Sequence, residues 1–270
     1  MCSPGRRVIE FIPEASLGPP VCTFALAWQV FEDVPVAAAA NRDEAVDRPS
    51  EPPGRFRDDP RIVAPRDREA GGTWIGVNEF GVLVAITNRW TAAELAGERS
   101  RGQLVADALT CESADEARNS VVGATDEDEY DGFYLVAADA DDAVVLAWDG
   151  TLSETRFEPG VHVVVNVGRA VDPDVAAIPE SHRTSAAGQA ENANRVRETL
   201  RPDEREGASA WLDRAADVLG DHEYGVCIHE GSYGTRSSSL ISLGTRWTYR
   251  HADGPPCRTS YEAVDLESHL

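Results

Sequence analysis

Apolar residues along most of this chain recur at consecutive or alternate positions, the spacing of strands, and only two separated blocks show helical spacing. Cys22 to Val30 and Val34 to Asn41 are apolar on both faces and break at Glu32-Asp33, which predicts a hairpin whose strands are buried between layers. A stretch rich in Pro, Arg and Asp, Asp47 to Glu69, reads as a loop. A second hairpin, Gly71 to Val77 and Val82 to Asn88, turns at Glu79-Phe80-Gly81. Arg101 to Leu109 and Ser113 to Val122 predict two short helices, the second opened by a capping box between Ser113 and Glu116.

Strand patterns return at Gly132 to Ala138, Ala143 to Trp148, Leu152 to Phe157 and Val161 to Val167. Helical spacing follows over Gln189 to Leu200 and Ala208 to Leu219. The chain then closes with strand patterns at Gly225 to His229, Gly234 to Leu243 and Arg246 to His251. Strands that are apolar on both faces need cover on both, so two layers of sheet flanked by two pairs of helices are expected, in an α+β fold. No shift in composition divides the chain into domains.

Composition narrows the function classes. No apolar run approaches the 18 or so residues of a membrane span. The 47 acidic against 25 basic residues give a net charge of -22, and every basic residue is Arg, with no Lys at all. Such a surface suits concentrated salt, which screens self-repulsion. It also argues against nucleic acid as a partner. Cysteines at 2, 22, 111, 227 and 257 are odd in number and form no Cys-x-x-Cys pair, which speaks for a reducing cytoplasm and against a disulfide framework or a zinc site. The six His never take the spacing of a zincin helix, so no metal is implied, and neither a dinucleotide fingerprint nor a P-loop points to a cofactor.

Residues 1 to 20 are rich in Pro and Gly, end in Gly18-Pro19-Pro20 and are expected to be disordered. Arg6-Arg7 is followed by too short an apolar stretch for a signal peptide. Val21 directly precedes Cys22, and GTG is read as Val within a frame but as Met at initiation. Val21 is therefore the expected natural start, with 21 to 270 as one domain. Met1-Cys2 is the weaker alternative, because Ser3-Pro4-Gly5 cannot continue as a central strand.

Cys22 opening a strand, with Asn41-Arg42-Asp43-Glu44 about twenty residues on, resembles the NRDE family, also called the transport-and-Golgi-organisation family. Gly71 to Trp74, Thr87-Asn88 and Tyr233-Gly234-Thr235-Arg236 carry the same likeness. The resemblance implies a four-layer αββα fold like that of the N-terminal nucleophile hydrolases of the choloylglycine hydrolase type, with two stacked, mainly antiparallel sheets. In that fold a Cys thiol attacks while its own α-amine relays the proton. The implied catalytic set is Cys22, with Arg42 and Asp43 serving it, Asn88 or Asn166 donating to an oxyanion, and Arg236 as a second cation near the thiol. An Arg beside a thiol lowers its pKa, and a carboxylate can hold an ammonium. The implied function is a cytoplasmic hydrolase of a non-peptide amide or related acyl bond in a small molecule. A family member that binds haem or lipid without turnover is the alternative.

Overall fold

The computed structural model describes residues 22–270, so Cys2, Val21 and the expectation of disorder over residues 1 to 20 lie outside the described residues. The chain runs through β1 (Thr23–Phe31), β2 (Val34–Ala45), β3 (Ser50–Asp58), β4 (Arg61–Asp67), β5 (Ile75–Asn78) and β6 (Leu83–Asn88). Helices α1 (Arg101–Ala108) and α2 (Ala114–Glu127) follow. Next come β7 (Phe133–Ala138), β8 (Ala143–Trp148), β9 (Leu152–Arg156), β10 (Gly160–Val165) and the short β11 (Gly168–Arg169) and β12 (Asp172–Pro173). After α3 (Arg183–Thr199) and α4 (Ala208–Gly220), a 3-10 turn at His222–Tyr224 leads into β13 (His229–Glu230), β14 (Tyr233–Leu243), β15 (Thr248–Ala252) and β16 (Glu262–Ala263), and α5 (Leu266–His269) ends the chain.

Two antiparallel sheets stack. The first has the order β12-β11-β10-β1-β2-β14-β15-β16, with β13 on β14; the second runs β3-β4-β5-β6-β7-β8-β9. Alternation along each strand decides which layer a side chain enters. Phe24, Leu26, Val36, Ala38 and Ile241 face the second sheet and pack with Val63, Ile75, Leu83 and Tyr134. Ala25, Ala27, Ala37, Ala39 and Leu240 face the opposite way, onto Ala193, Val196, Trp211 and Ala215 of α3 and α4. On the outer side of the second sheet, Ile62, Val84, Leu135 and Val144 pack with Leu104, Val105 and Val121 of α1 and α2. The result is the four-layer αββα arrangement implied by the resemblance. Among the described residues no helix is long and apolar enough to cross a membrane.

Three elements differ from the sequence reading. Asp47 to Glu69 is not a loop: it holds β3 and β4, paired Ser50↔Asp67 through Asp58↔Arg61. β3 ends the second sheet, and an edge strand tolerates Pro52-Pro53 and charge because it lacks one ladder partner and none of its residues is buried. Gly225 to His229 is not a strand, because the 3-10 turn is closed by Gly225 at φ 64, and only His229-Glu230 pairs. The expected capping box is half made. Ser113 accepts from the Glu116 N–H at 3.1 Å, but the Glu116 carboxylate reaches the N–H of Glu112 instead of Ser113.

Candidate active site

Register brings the site together. β1 lies between β10 and β2, with Thr23 opposite Val165 on one side and Asn41 on the other. One step further along both ladders sets Cys22 level with Asn166 and Arg42. The Cys22 backbone N–H donates to Asn166 Oδ1 at 2.6 Å, and Gln189 of α3 donates to the same oxygen at 3.4 Å. Asn166 is fully buried, and its Nδ2 has no partner among the described residues.

The end of β2 splits its polar run between layers. Asn41 turns toward the helices and donates to the carbonyls of Leu219 and Val226 at 3.0 and 2.7 Å, tying down the end of α4. Arg42 turns toward the second sheet, where it stacks on Trp74 at 4.2 Å and pairs with Asp67 at 3.1 Å and Glu44 at 3.5 Å. Asp67 is further held by Arg48 at 2.7 Å and by the N–H groups of Glu69 and Ala70. Burial alone would raise its carboxyl pKa; these donors outweigh burial and keep it below the usual value. Asp43 is buried and accepts from the Thr235 hydroxyl at 2.5 Å through Oδ1, while Oδ2 has no partner among the described residues. Its carbonyl accepts from the Cys22 thiol at 3.7 Å and from the Tyr233 hydroxyl.

Cys22 opens into a cleft of about 330 Å³ between the ends of the two sheets, lined by Arg42, Asp43, Asp67, Trp74, Asn88 and Arg101 among others. Arg101, at the start of α1, is anchored to the carbonyl of Gly132 at 2.8 Å. Its position depends on glycine. A Cβ on Gly72 would stand 2.2 Å from the carbonyl carbon of Gly102, so α1 rests backbone to backbone on the β4–β5 connection.

Of the six residues singled out in the sequence, Cys22, Arg42, Asp43 and Asn88 line the cleft, and Asn166 holds the Cys22 backbone nitrogen from behind. Arg236 does not line it. It falls in the bulge of β14 between Thr235 and Ser237, and its buried Nε has no partner among the described residues. The thiol also departs from expectation. Burial pushes it up to about 12, Asp43 adds to the rise, and the nearby Arg42 lowers it too little to compensate. As the chain stands, Cys22 is held as a protonated thiol. Sequence reasoning missed Arg101 and Asp67, which come from distant segments and carry no motif of their own, and it gave no role to Thr235, which lies within the Tyr233 to Arg236 motif.

Comparison with known proteins places this geometry. The family model described as Transport and Golgi organisation 2 matches residues 21–250. The chain is 36% identical over 104 residues to the Transport and Golgi organization 2 homolog of Mus musculus, covering 37% of each. It is 35% identical over 136 residues to the homolog of Homo sapiens, covering 47% of this chain and 49% of that protein. The chain thus spans less than half the length of these curated relatives. The backbone is similar to penicillin V acylase from Agrobacterium tumefaciens, with a TM-score of 0.55 at 14% identity over 91% of this chain and 86% of that one. It is similar also to a mutant conjugated bile acid hydrolase from Clostridium perfringens, with a TM-score of 0.57 at 10% identity over 93% of both. A Caenorhabditis elegans ortholog of N-acylethanolamine-hydrolyzing acid amidase gives 0.54 at 12% identity over 82% of this chain and 92% of that one. These three share the N-terminal nucleophile hydrolase architecture, and at such identities the likeness is one of fold.

Proposed function

The chain belongs to the Transport and Golgi organisation 2 family, and from that premise we propose that it is a hydrolase of non-peptide amides or related acyl bonds, with Cys22 as nucleophile once Cys22 is the first residue of the chain. The observation that carries this reading is the 2.6 Å bond from the Cys22 nitrogen to Asn166 beside a thiol facing the cleft. In mid-chain that nitrogen is an amide and cannot take a proton. Freed, it becomes an amine of pKa about 7.7 to 8.0, held by Asn166 within reach of its own sulfur.

The reaction then proceeds in two halves. The amine takes the thiol proton as sulfur attacks the substrate carbonyl, and Asn88 donates to the oxyanion. The ammonium returns that proton to the leaving amine, leaving a thioester on Cys22. Water, deprotonated by the same amine, releases the acid. Arg42 lines the cleft with its buried Nη1 unpartnered among the described residues, and supplies a donor for the acyl group. Asp43, whose backbone carbonyl accepts from the thiol, is assigned to the ammonium as its counter-charge, and Arg236, outside the cleft, is given no step. The neighbours named as an acylase, an amidase and a conjugate hydrolase support acyl transfer as the reaction class.

The experiment compares a chain beginning at Cys22 with one that retains residues 1 to 21, on a panel of N-acyl para-nitroanilides. Turnover and an acyl adduct on Cys22 are expected for the first chain and for neither the second nor Cys22→Ala. Equal turnover by a chain whose intact mass shows residues 1 to 21 still attached overturns the mechanism.

One observation favours a second reading. A thiol pushed up to about 12 is inert, and an inert cleft lined by Trp74 and several Arg suits a binding protein for a haem or lipid carboxylate. Tight binding of haemin or a fatty acid by a chain beginning at Cys22 that shows no acyl adduct would establish that reading.

A further inference from the structure

Away from the cleft, His222, Cys227, His229 and Cys257 bring four potential ligand atoms within 4.8 Å of one another. We propose that this cluster is a structural zinc site. None of the four residues lines the cleft with Cys22. Their spacing in sequence hides them, since three lie in one short stretch and the fourth comes 28 residues later.

The fold explains the meeting. The 3-10 turn presents His222, and Gly225, at φ 64, reverses the chain so that Cys227 follows at a bend and His229 at the start of β13. After β15 the chain turns at Gly254, with φ 155, and Pro255-Pro256 carries Cys257 back against the end of α4. There the segment packs on Gly220: a Cβ at that position would meet the Cys257 nitrogen and the Pro256 carbonyl at ordinary van der Waals distance, 3.4 to 3.5 Å.

The two nitrogen–sulfur distances from His229 suit a tetrahedral site. Zinc bonds of about 2.3 Å to sulfur and 2.0 to 2.1 Å to nitrogen give a nitrogen to sulfur edge of about 3.5 Å. His229 Nε2 lies 3.2 Å from Cys257 Sγ and 3.8 Å from Cys227 Sγ, on either side of that value. The His222 and His229 rings are tilted at 56° with centroids 5.2 Å apart, so they converge without stacking. Two thiolates and two neutral imidazoles form a closed set suited to zinc and neutralise its charge. Cys227 is buried and the other three ligands are exposed, which gives the ion a path in. Binding releases the two thiol protons to solvent and involves no redox change. A metal on His229 Nε2 fixes the proton on Nδ1, so the exposed Arg258 guanidinium, now 3.4 Å from Nδ1, turns away to solvent.

Such an ion would clamp the C-terminal segment to the end of α4 and reach the catalytic side through one residue. Ile228, between Cys227 and His229, donates its N–H to Thr235 Oγ1 at 2.9 Å, and Thr235 holds Asp43. The site therefore braces a residue of the cleft without facing it.

The test uses the full chain, purified with a phosphine reductant and no chelator, and loaded with zinc or with cobalt(II). One zinc per chain by native mass spectrometry and elemental analysis is expected. Cobalt should give a thiolate charge-transfer band and strong tetrahedral d–d bands. Cys257→Ser and His222→Ala change exposed ligands and leave the core intact; each should weaken zinc binding at least about 100-fold, more than the loss of a residue that merely orients a ligand. Cys111→Ser should leave it unchanged. Zinc bound equally by Cys257→Ser, a cobalt spectrum without the thiolate band, or a reduced chain that takes up no metal overturns the proposal. So does protein from its native host that carries a Cys227–Cys257 disulfide and no zinc.

Discussion

Thr235 donates its hydroxyl proton to Oδ1 of Asp43 at 2.5 Å across the β2–β14 ladder, and the same oxygen of Thr235 accepts the N–H of Ile228 at 2.9 Å. One buried hydroxyl thus serves two groups that have little access to water. Thr235→Val keeps the shape and removes both bonds. The expected loss is roughly 1–3 kcal/mol, which lowers the melting temperature of a domain this size by about 3–10 °C. A thermal scan with no shift would mean that water replaces the hydroxyl.

Asp43 itself should show an inverted pH dependence. Burial is the largest influence on its carboxyl and holds its pKa well above the ordinary value, with Thr235 and Arg42 pulling weakly the other way. The unfolded carboxyl ionises near about pH 4. Between that value and the raised folded one, the native state keeps a proton that the unfolded state has lost, so stability contributed by this group falls as pH rises. Asp43→Asn removes the penalty. Its melting temperature should match the parent at acid pH and exceed it increasingly toward neutrality, while turnover is lost. A constant difference at every pH would contradict this assignment.

Arg42 faces both the thiol and Asp67. In a chain beginning at Cys22, Arg42→Ala should raise the thiol pKa further and slow alkylation by iodoacetamide several-fold, since Arg42 is a cation that opposes burial there. Cys111, outside the cleft, should react as before. Unchanged labelling of Cys22 would separate Arg42 from the nucleophile.

Two glycines should respond in opposite directions to the same methyl group. Gly72→Ala drives a Cβ to 2.2 Å from the backbone of Gly102, which costs roughly 1–3 kcal/mol or more and displaces α1 with Arg101. Gly188 lies inside α3, where an added Cβ meets nothing within 4 Å. Gly188→Ala should therefore stabilise by about 0.5–1 kcal/mol through helix propensity and a less flexible unfolded chain. Chemical denaturation of both variants checks the pair.

The charge of -22 on a chain without Lys carries its own test. Surface acids that repel one another at low ionic strength are screened in concentrated salt. The melting temperature should climb steeply from dilute buffer into molar KCl. A midpoint indifferent to salt would remove the halophilic reading.

How much of this was legible in the sequence follows the physics of each element. β1, β2, β6, β7 and β8 are apolar on both faces because both faces are covered, and such runs announce themselves. β3 was hidden by Pro, Arg and Asp, which an edge strand can carry where solvent reaches it, and β4 by Pro65 and by Asp67, a buried carboxylate held by Arg42 and Arg48. Cys22, Arg42, Asp43 and Asn88 were found through motif likeness and share one cleft. Arg236 was part of the same motif, but a bulge takes its segment out of simple alternation, and no periodic rule foresees a bulge. Arg101 reaches the cleft only because two glycine backbones touch. Cys257 meets His229 through a turn at Gly254 and two prolines, a long-range closure to which ligand spacing is blind.

β1 is an inner strand, flanked by β10 and β2 from its first residue onward. Chain ends ordinarily fray, opening at little free-energy cost. A chain starting at Cys22 would have its terminus stitched on both sides, so the amides of Thr23 to Ala27 should exchange hydrogen only through large-scale opening. The nucleophile would then be among the slowest parts of the molecule to move, and substrates would have to reach it by displacement of the cleft's rim, at Trp74 and Arg101, not by any breathing of the strand that bears it.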